Sequence, residues 1–301
     1  MFQPKLNYLP CGGGLAGHHR MAYWEWGPPE AGHVVVCVHG LSRQGRDFDV
    51  LAQALVVSSG GKTRVICPDV VGRGKSDWLS EPMAYQVPTY AADMLALLSH
   101  LTPTTQTLDW VGTSMGGLIG LAVFGQTQVP LPLLVRKLVL NDVGPSIQWQ
   151  ALLRIGAYLG RVVHFDSLQH AADAMWGMSS SFGPHTAAQW LELSRFMVKP
   201  VMDRGDKVTL HYDPAIAVPF AAMTQESAAQ GEATLWQLYD GIQAETLLVR
   251  GAQSDLLSHQ TALHMTQRGP RARLIEFDGV GHAPTLVAVD QVEAVTGFLL
   301  G

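Results

Sequence analysis

The segment Gly112-Thr113-Ser114-Met115-Gly116 constrains this chain more than any other stretch. It follows an apolar run, Leu108 to Val111, and opens a second one, Leu118 to Phe124. Two such runs joined by a glycine-flanked turn read as strand, sharp turn and helix. A serine at this kind of turn takes strained backbone angles, so its neighbours have to be small. Gly112 and Gly116 let the helix pass close to the strand, and Gly117 adds room. The strain pushes the hydroxyl out of the turn, at a helix N-terminus whose dipole favours negative charge. A glycine-rich turn with a merely hydrogen-bonded serine has the same five letters, so the rest of the chain has to decide.

A serine hydroxyl is a weak nucleophile that needs a general base, and the base needs an orienting acid. Around this type of turn they follow in the order serine, acid, histidine. His282 stands in Gly279-Val280-Gly281-His282-Ala283-Pro284, just past an apolar run ending at Phe277. Upstream, Thr246 to Gly251 reads as a buried strand, and Ala252-Gln253-Ser254-Asp255 puts Asp255 in the next loop. Asp142 competes for the acid role, because it follows the strand-like run Lys137 to Leu140. Its other reading is a turn aspartate that caps the segment beyond it. The Ser254-Asp255 turn fits the acid better, so Asp255 is the expected partner of His282. Near the N-terminus, the apolar strand His33 to Val38 ends in His39-Gly40-Leu41. Such a turn supplies one backbone N–H of an oxyanion hole, and the residue after the nucleophile supplies the other. Here these are Leu41 and Met115.

With these elements in order, the chain resembles the α/β-hydrolase superfamily, in the esterase-like branch that carries a cap. His39-Gly40, Asp69 through Ser76, the turn at Ser114, Ser254-Asp255 and Gly281-His282 carry the resemblance over most of the chain. It implies an α/β fold. The alternation of strand-like and helical patterns from Met21 to Leu140 also points to a mainly parallel sheet with helices on both faces. One helix is expected after Pro88, with Tyr90, Met94, Leu97, Leu98 and Leu101 on a single face. The alternation stops near Asn141 to Pro145 and resumes only near Thr246. That gap is too long for a plain loop. Residues 145–235 are therefore expected to form a helical cap over a core made of 1–144 and 236–301. Most cap aromatics should form the cap's own core, with a minority facing the substrate. Trp149 and Trp176 are the candidates for that contact. Arg43 is a candidate for a substrate carboxylate, although a surface arginine or a partner for Asp47 or Asp49 is the favoured reading.

The resemblance implies a serine hydrolase acting on a carboxylic ester or related acyl bond of a small-to-medium, partly apolar molecule. A serine at the turn argues against the haloalkane dehalogenase and epoxide hydrolase branches, which use aspartate there. Hydrolysis of a carbon–carbon bond in a vinylogous keto acid, or of a lactone, is an alternative, and a ligand receptor on the same fold is another. The net charge of -5, with basic residues scattered, speaks against a nucleic-acid surface. No apolar run reaches membrane-spanning length, and nothing at the N-terminus looks like a secretory leader, so a cytoplasmic protein is expected. Cys11, Cys37 and Cys67 lack metal-ligand spacing, and no disulfide is expected. Gly72 to Ser76 superficially looks like a phosphate loop, but the glycine such a loop needs at position 69 is Asp69. No metal or organic cofactor is implied, and the expected partner is the small-molecule substrate.

Overall fold

In the computed structural model, residues 2–126, 130–202 and 204–301 are described. The chain begins with the antiparallel pair β1 (Lys5–Gly12) and β2 (His18–Trp26). It continues through β3 (His33–Val38), α1 (Asp49–Ser58), β4 (Thr63–Pro68) and α2 (Val87–Leu101). Next come β5 (Thr107–Thr113), α3 (Met115–Phe124) and β6 (Val135–Asn141). The insertion then holds α4 (Trp149–Gly156), β7 (His164–Phe165), α5 (Leu168–Ser179), α6 (Ala187–Arg195), β8 (Val198–Pro200), β9 (Val208–Leu210), α7 (Ala217–Ala221) and α8 (Gln225–Gly241). The core resumes with β10 (Glu245–Gly251), α9 (His259–Met265), β11 (Arg273–Phe277) and α10 (Val289–Leu300).

Eight strands form one sheet in the order β1-β2-β4-β3-β5-β6-β10-β11. β2 pairs antiparallel with both β1 and β4, and every pairing from β4 to β11 is parallel. Side chains alternate across a strand, so β3 sends Val34, Val36 and Val38 to one face and Val35 and Cys37 to the other. All five are fully buried, because helices cover both faces. This is why the strand reads as an unbroken apolar run rather than an alternating one. On the first face lie α2, α3 and the C-terminal half of α8, through Met94, Leu97, Ile119 and Tyr239. On the second lie α1 and α10, through Leu51, Leu55, Val295 and Leu299. Burying each such side chain is worth about 1.5–3 kcal/mol. The expected face of α2, Tyr90 to Leu101, is buried throughout, and Pro88 sits in its first turn.

The insertion is less purely helical than its sequence suggests. β7, β9 and β8 form a small antiparallel sheet beside its helices. Strands of two or three residues are too short for a period-2 pattern to show. The insertion has its own core, in which Trp190 donates its indole N–H to Ala172 O at 2.7 Å. It is tied to the main sheet through the glycine turn after β4. There Asp213 N–H donates to Gly72 O, Gly74 N–H to His211 O, and Tyr85 OH to Asp213. α8 runs straight through the boundary placed at 235, and its Tyr239 donates to Met265 O inside the main core. Among the described residues, no helix is long and apolar enough to cross a membrane.

Candidate active site

Ser114 follows β5 and caps α3 with φ 51° and ψ -118°. The left-handed φ is costly for a serine, and the tight packing around the turn sustains it. A Cβ on Gly112 would meet Gly116 O at 2.4 Å, and one on Gly116 would meet Val38 O at 2.0 Å. Neither contact is possible, so these two glycines are required for the helix to leave the strand at this angle. Ser114 N–H is taken by Asn141 O at 2.9 Å, which fixes the turn to the neighbouring strand β6.

Ser114 Oγ lies 3.0 Å from His282 Nε2, and His282 Nδ1 lies 2.7 Å from Asp142 Oδ2. An ionised carboxylate only accepts, so Nδ1 carries the ring proton and Nε2 presents its lone pair to the serine. Asp142 is fully buried and also has a positive φ of 56°. It accepts from three donors: His282 Nδ1–H, Gly251 N–H at 2.9 Å and Ser254 Oγ–H at 2.7 Å. The expectation that Asp255 orients His282 is thereby corrected. Asp255 turns away from the site and forms a two-pronged pair with Arg154, at 2.7 and 2.9 Å, with half of its side chain in solvent. The turn after β10 does serve the histidine, but through the hydroxyl of Ser254, which bonds the acid supplied by β6.

Leu41 and Met115, the expected oxyanion-hole residues, both line the larger cavity beside Ser114. Met115 is the first residue of α3, so its N–H has no intrahelical acceptor. Leu41 follows Gly40, where a Cβ would stand 3.6 Å from Ser114 Cβ. Arg73 holds this wall. It is fully buried, donates Nε–H to Leu41 O at 2.8 Å and Nη1–H to Val71 O and Tyr90 OH, and has Met115 Sδ at 3.7 Å. Sequence reasoning gave Arg73 no role beyond its turn. The available signal was an arginine between two glycines, Gly72 and Gly74, both of which adopt positive φ. His39 is fully buried as well. Its Nδ1–H donates to Gly40 O and its Nε2 accepts from Val70 N–H, and burial pushes its pKa down to about 3. It is a neutral strut of the loop.

Two cavities meet at Ser114 and share Leu41 and Ile155 in their walls. One, of about 380 Å³, is lined by His282, Arg43, Asp47, Arg154, Arg161 and Tyr158, with apolar cap residues beyond. The other, of about 720 Å³, is lined by Met115, Leu118, Trp149, Phe220, Tyr85 and Glu232 among others. Trp149 therefore faces a cavity as expected. Arg43 faces the smaller one, but its guanidinium is engaged by Asp47 at 2.5 and 2.8 Å. Trp176 lines neither and is a correction: it packs edge-on against Trp190, with ring centroids 5.0 Å apart, in the cap's own core. Away from the site, Cys11, His19 and Asp93 converge in the interior. His19 is buried there with Nε2 3.0 Å from Asp93. Burial and Asp93 push the Cys11 thiol up to about 12, which keeps it protonated.

Comparison with known proteins extends the picture. The Alpha/beta hydrolase family profile matches residues 35–295. The chain is 47% identical to a 3-hydroxybutyrate-oligomer hydrolase of Cupriavidus necator over 299 residues, covering 99% of this chain and 98% of that one. It is 24% identical to esterase Rv0045c of Mycobacterium tuberculosis over 270 residues, covering 89% of this chain and 81% of the other. Among solved structures, an alpha/beta hydrolase from Novosphingobium aromaticivorans superposes with a TM-score of 0.81 at 32% identity, covering 100% of this chain and 99% of that one.

Proposed function

Because this chain belongs to the alpha/beta hydrolase family and is an ester hydrolase, we propose that its substrates are short linear oligoesters of a 3-hydroxy acid, and that Ser114, His282 and Asp142 cleave them. The observation that carries the substrate reading is the position of Ser114 between two cavities of about 380 and 720 Å³. An ester with a small alcohol needs room on one side of the scissile bond only. An oligoester has chain on both sides. The 47% identity to a protein that acts on 3-hydroxybutyrate oligomers supports the same class.

In the proposed mechanism, Ser114 Oγ attacks the ester carbonyl carbon and its proton passes to His282 Nε2. Asp142 stays ionised, keeps the proton of His282 on Nδ1 and stabilises the imidazolium. The N–H groups of Leu41 and Met115 receive the developing oxyanion, each worth about 3–4 kcal/mol in related systems. The carbonyl–alkoxide bond then breaks, and His282 returns its proton to the departing oxygen. Water, deprotonated by His282, then attacks the acyl carbon, the bond to Ser114 Oγ breaks, and His282 returns the proton to Oγ as the acid leaves. No step asks for a cofactor. The three cysteines stand as buried free thiols, which suits the reducing cytoplasm we propose for this protein.

The direct test is to incubate the purified protein with the dimer and trimer of 3-hydroxybutyrate and follow monomer release by chromatography. Release is expected, and Ser114→Ala should abolish it. Ready turnover of a nitrophenyl butyrate with no release from either oligomer would overturn the substrate class.

A further inference from the structure

The two cavities at Ser114 differ in charge. Three arginines, Arg43, Arg154 and Arg161, line the smaller one with a single carboxylate, Asp47. Among the described residues, the larger one has Glu232 as its only charged lining residue. In the smaller cavity Asp47 neutralises Arg43. Arg154 is held through Nε and Nη2 by Asp255 and has Tyr158 beside it, a further lining residue of the same cavity. Arg161 is in no ion pair among the described residues. The smaller cavity thus carries an excess of cationic side chains, and the larger one a single carboxylate.

The two cavities also differ in their relation to the general acid. His282 lines the smaller cavity and not the larger. The group that receives the proton from His282 Nε2 is the departing alkoxide, so the leaving alcohol belongs on the smaller side. In an oligoester of hydroxy acids, the fragment that leaves as an alcohol is the one that ends in the free carboxylate. The fragment that stays on the serine ends in a free hydroxyl. Charge and proton transfer therefore point the chain the same way.

We propose that the smaller cavity is a carboxylate subsite for the leaving fragment, in which Arg154 and Arg161 hold the acid end of the chain while its hydroxyl end lies in the larger cavity. Asp255 is then a positioning residue: it holds the guanidinium of Arg154 in place. In this register Ser114 forms its bond to the carbonyl carbon and the carbon–alkoxide bond breaks. The proton on His282 completes a hydroxy acid whose carboxylate remains with the arginines. This inference rests on the oligoester reading for its natural ligand, but the subsite can be tested without it.

The test uses three probes. In 3-(butanoyloxy)butanoate the carboxylate is on the leaving alcohol. Its primary amide is nearly isosteric and neutral. In monomethyl glutarate the carboxylate is on the acyl side. Wild-type protein is expected to prefer the acid over the amide by about tenfold or more in kcat/KM, mostly through KM. Arg154→Gln and Arg161→Gln should each lower that preference several-fold, and the double variant should bring it close to one. Arg161 is exposed, so its variant keeps the test available if Arg154→Gln destabilises the cap; thermal unfolding checks both. A wild-type preference near one, or a preference that survives in the double variant, would overturn the subsite. So would a preference for monomethyl glutarate that disappears with the arginines, since it would reverse the chain. If 3-hydroxybutyrate oligomers are not cleaved but the arginine-dependent preference for the acid is present, the subsite stands and only the oligoester reading falls.

Discussion

The loops that follow β6 and β10 invite comparison, because the two strands are neighbours and each loop begins with or soon reaches an aspartate. Asp142 comes directly after β6, has no exposed surface and collects three hydrogen bonds. Asp255 comes four residues after Gly251, is half exposed and faces an arginine of the cap. Chain order and strand position make the two look equivalent. What separates them is the supply of donors. A buried carboxylate survives as an anion only where hydrogen bonds replace its water. The backbone at Gly251 and the hydroxyl of Ser254 provide that replacement for Asp142. Asp255 instead pairs with Arg154 at the surface, where half of its side chain stays in solvent. An acid that has to stabilise an imidazolium belongs at the first kind of site.

The sharpest way to break this comparison is to remove one charge at a time. Asp142→Asn is expected to lower kcat on a nitrophenyl butyrate by about 10³–10⁴-fold, because an amide can hold the wrong tautomer of His282 and cannot stabilise its cation. Asp255→Asn should lower it by no more than about threefold. The reverse result would return the acid role to the β10 loop. Ser254→Ala probes the link between the loops. It removes one hydrogen bond from the carboxylate while leaving the charge, so a loss of about tenfold is expected. A loss as large as that of Asp142→Asn would mean that Ser254 also controls the position of the loop.

The same contrast explains how much the sequence discloses. Ser114 and His282 can be located from letters because strict local geometry surrounds them: glycines at a strained turn, or a loop at the end of an apolar strand. The acid is set by which of two loops bends inward, and that bend depends on Gly251, Ser254 and Asp142 meeting across 109 and 112 residues of chain. No window of sequence contains it. Trp176 fails for a related reason. Helical periodicity gives α5 an inner face, but the neighbour that fills that face is Trp190 of α6. Arg73 shows the limit most clearly: its partners Leu41, Tyr90 and Met115 come from three separate segments.

Histidines sharpen the comparison further. His39 and His282 both follow strands and both line the smaller cavity, yet His39 is spent on backbone partners. With its pKa lowered from 6.5 to about 3 by burial, His39 stays neutral in the folded protein while the unfolded chain takes up a proton below 6.5. Its contribution to stability is therefore complete above that pH and is lost as pH falls toward 3. Asp69, raised to about 6 by burial, works in the opposite direction, gaining a proton in the folded state as pH falls below 6. A His39→Gln variant retains Asp69, so the difference between the two proteins isolates the histidine. Wild-type Tm should fall more steeply than that of His39→Gln between pH 6.5 and about 5. Parallel curves would show that His39 titrates in the fold as it does in the unfolded chain.

The smallest effect expected is that of Asp255 on stability. Its pair with Arg154 has ideal two-pronged geometry, but the two side chains are 42% and 50% exposed. Solvent screens such a pair, and exposed ion pairs are worth about 0–1 kcal/mol. In a chain of this length, 1 kcal/mol moves Tm by about 2 °C. Asp255→Asn should therefore shift the midpoint by no more than about 2 °C, and the shift should shrink further in about 0.5 M salt. A drop of several degrees that persists in salt would place the carboxylate in a far drier setting than its exposure implies. The contrast between the two loops would then rest on geometry alone, with burial removed from the argument.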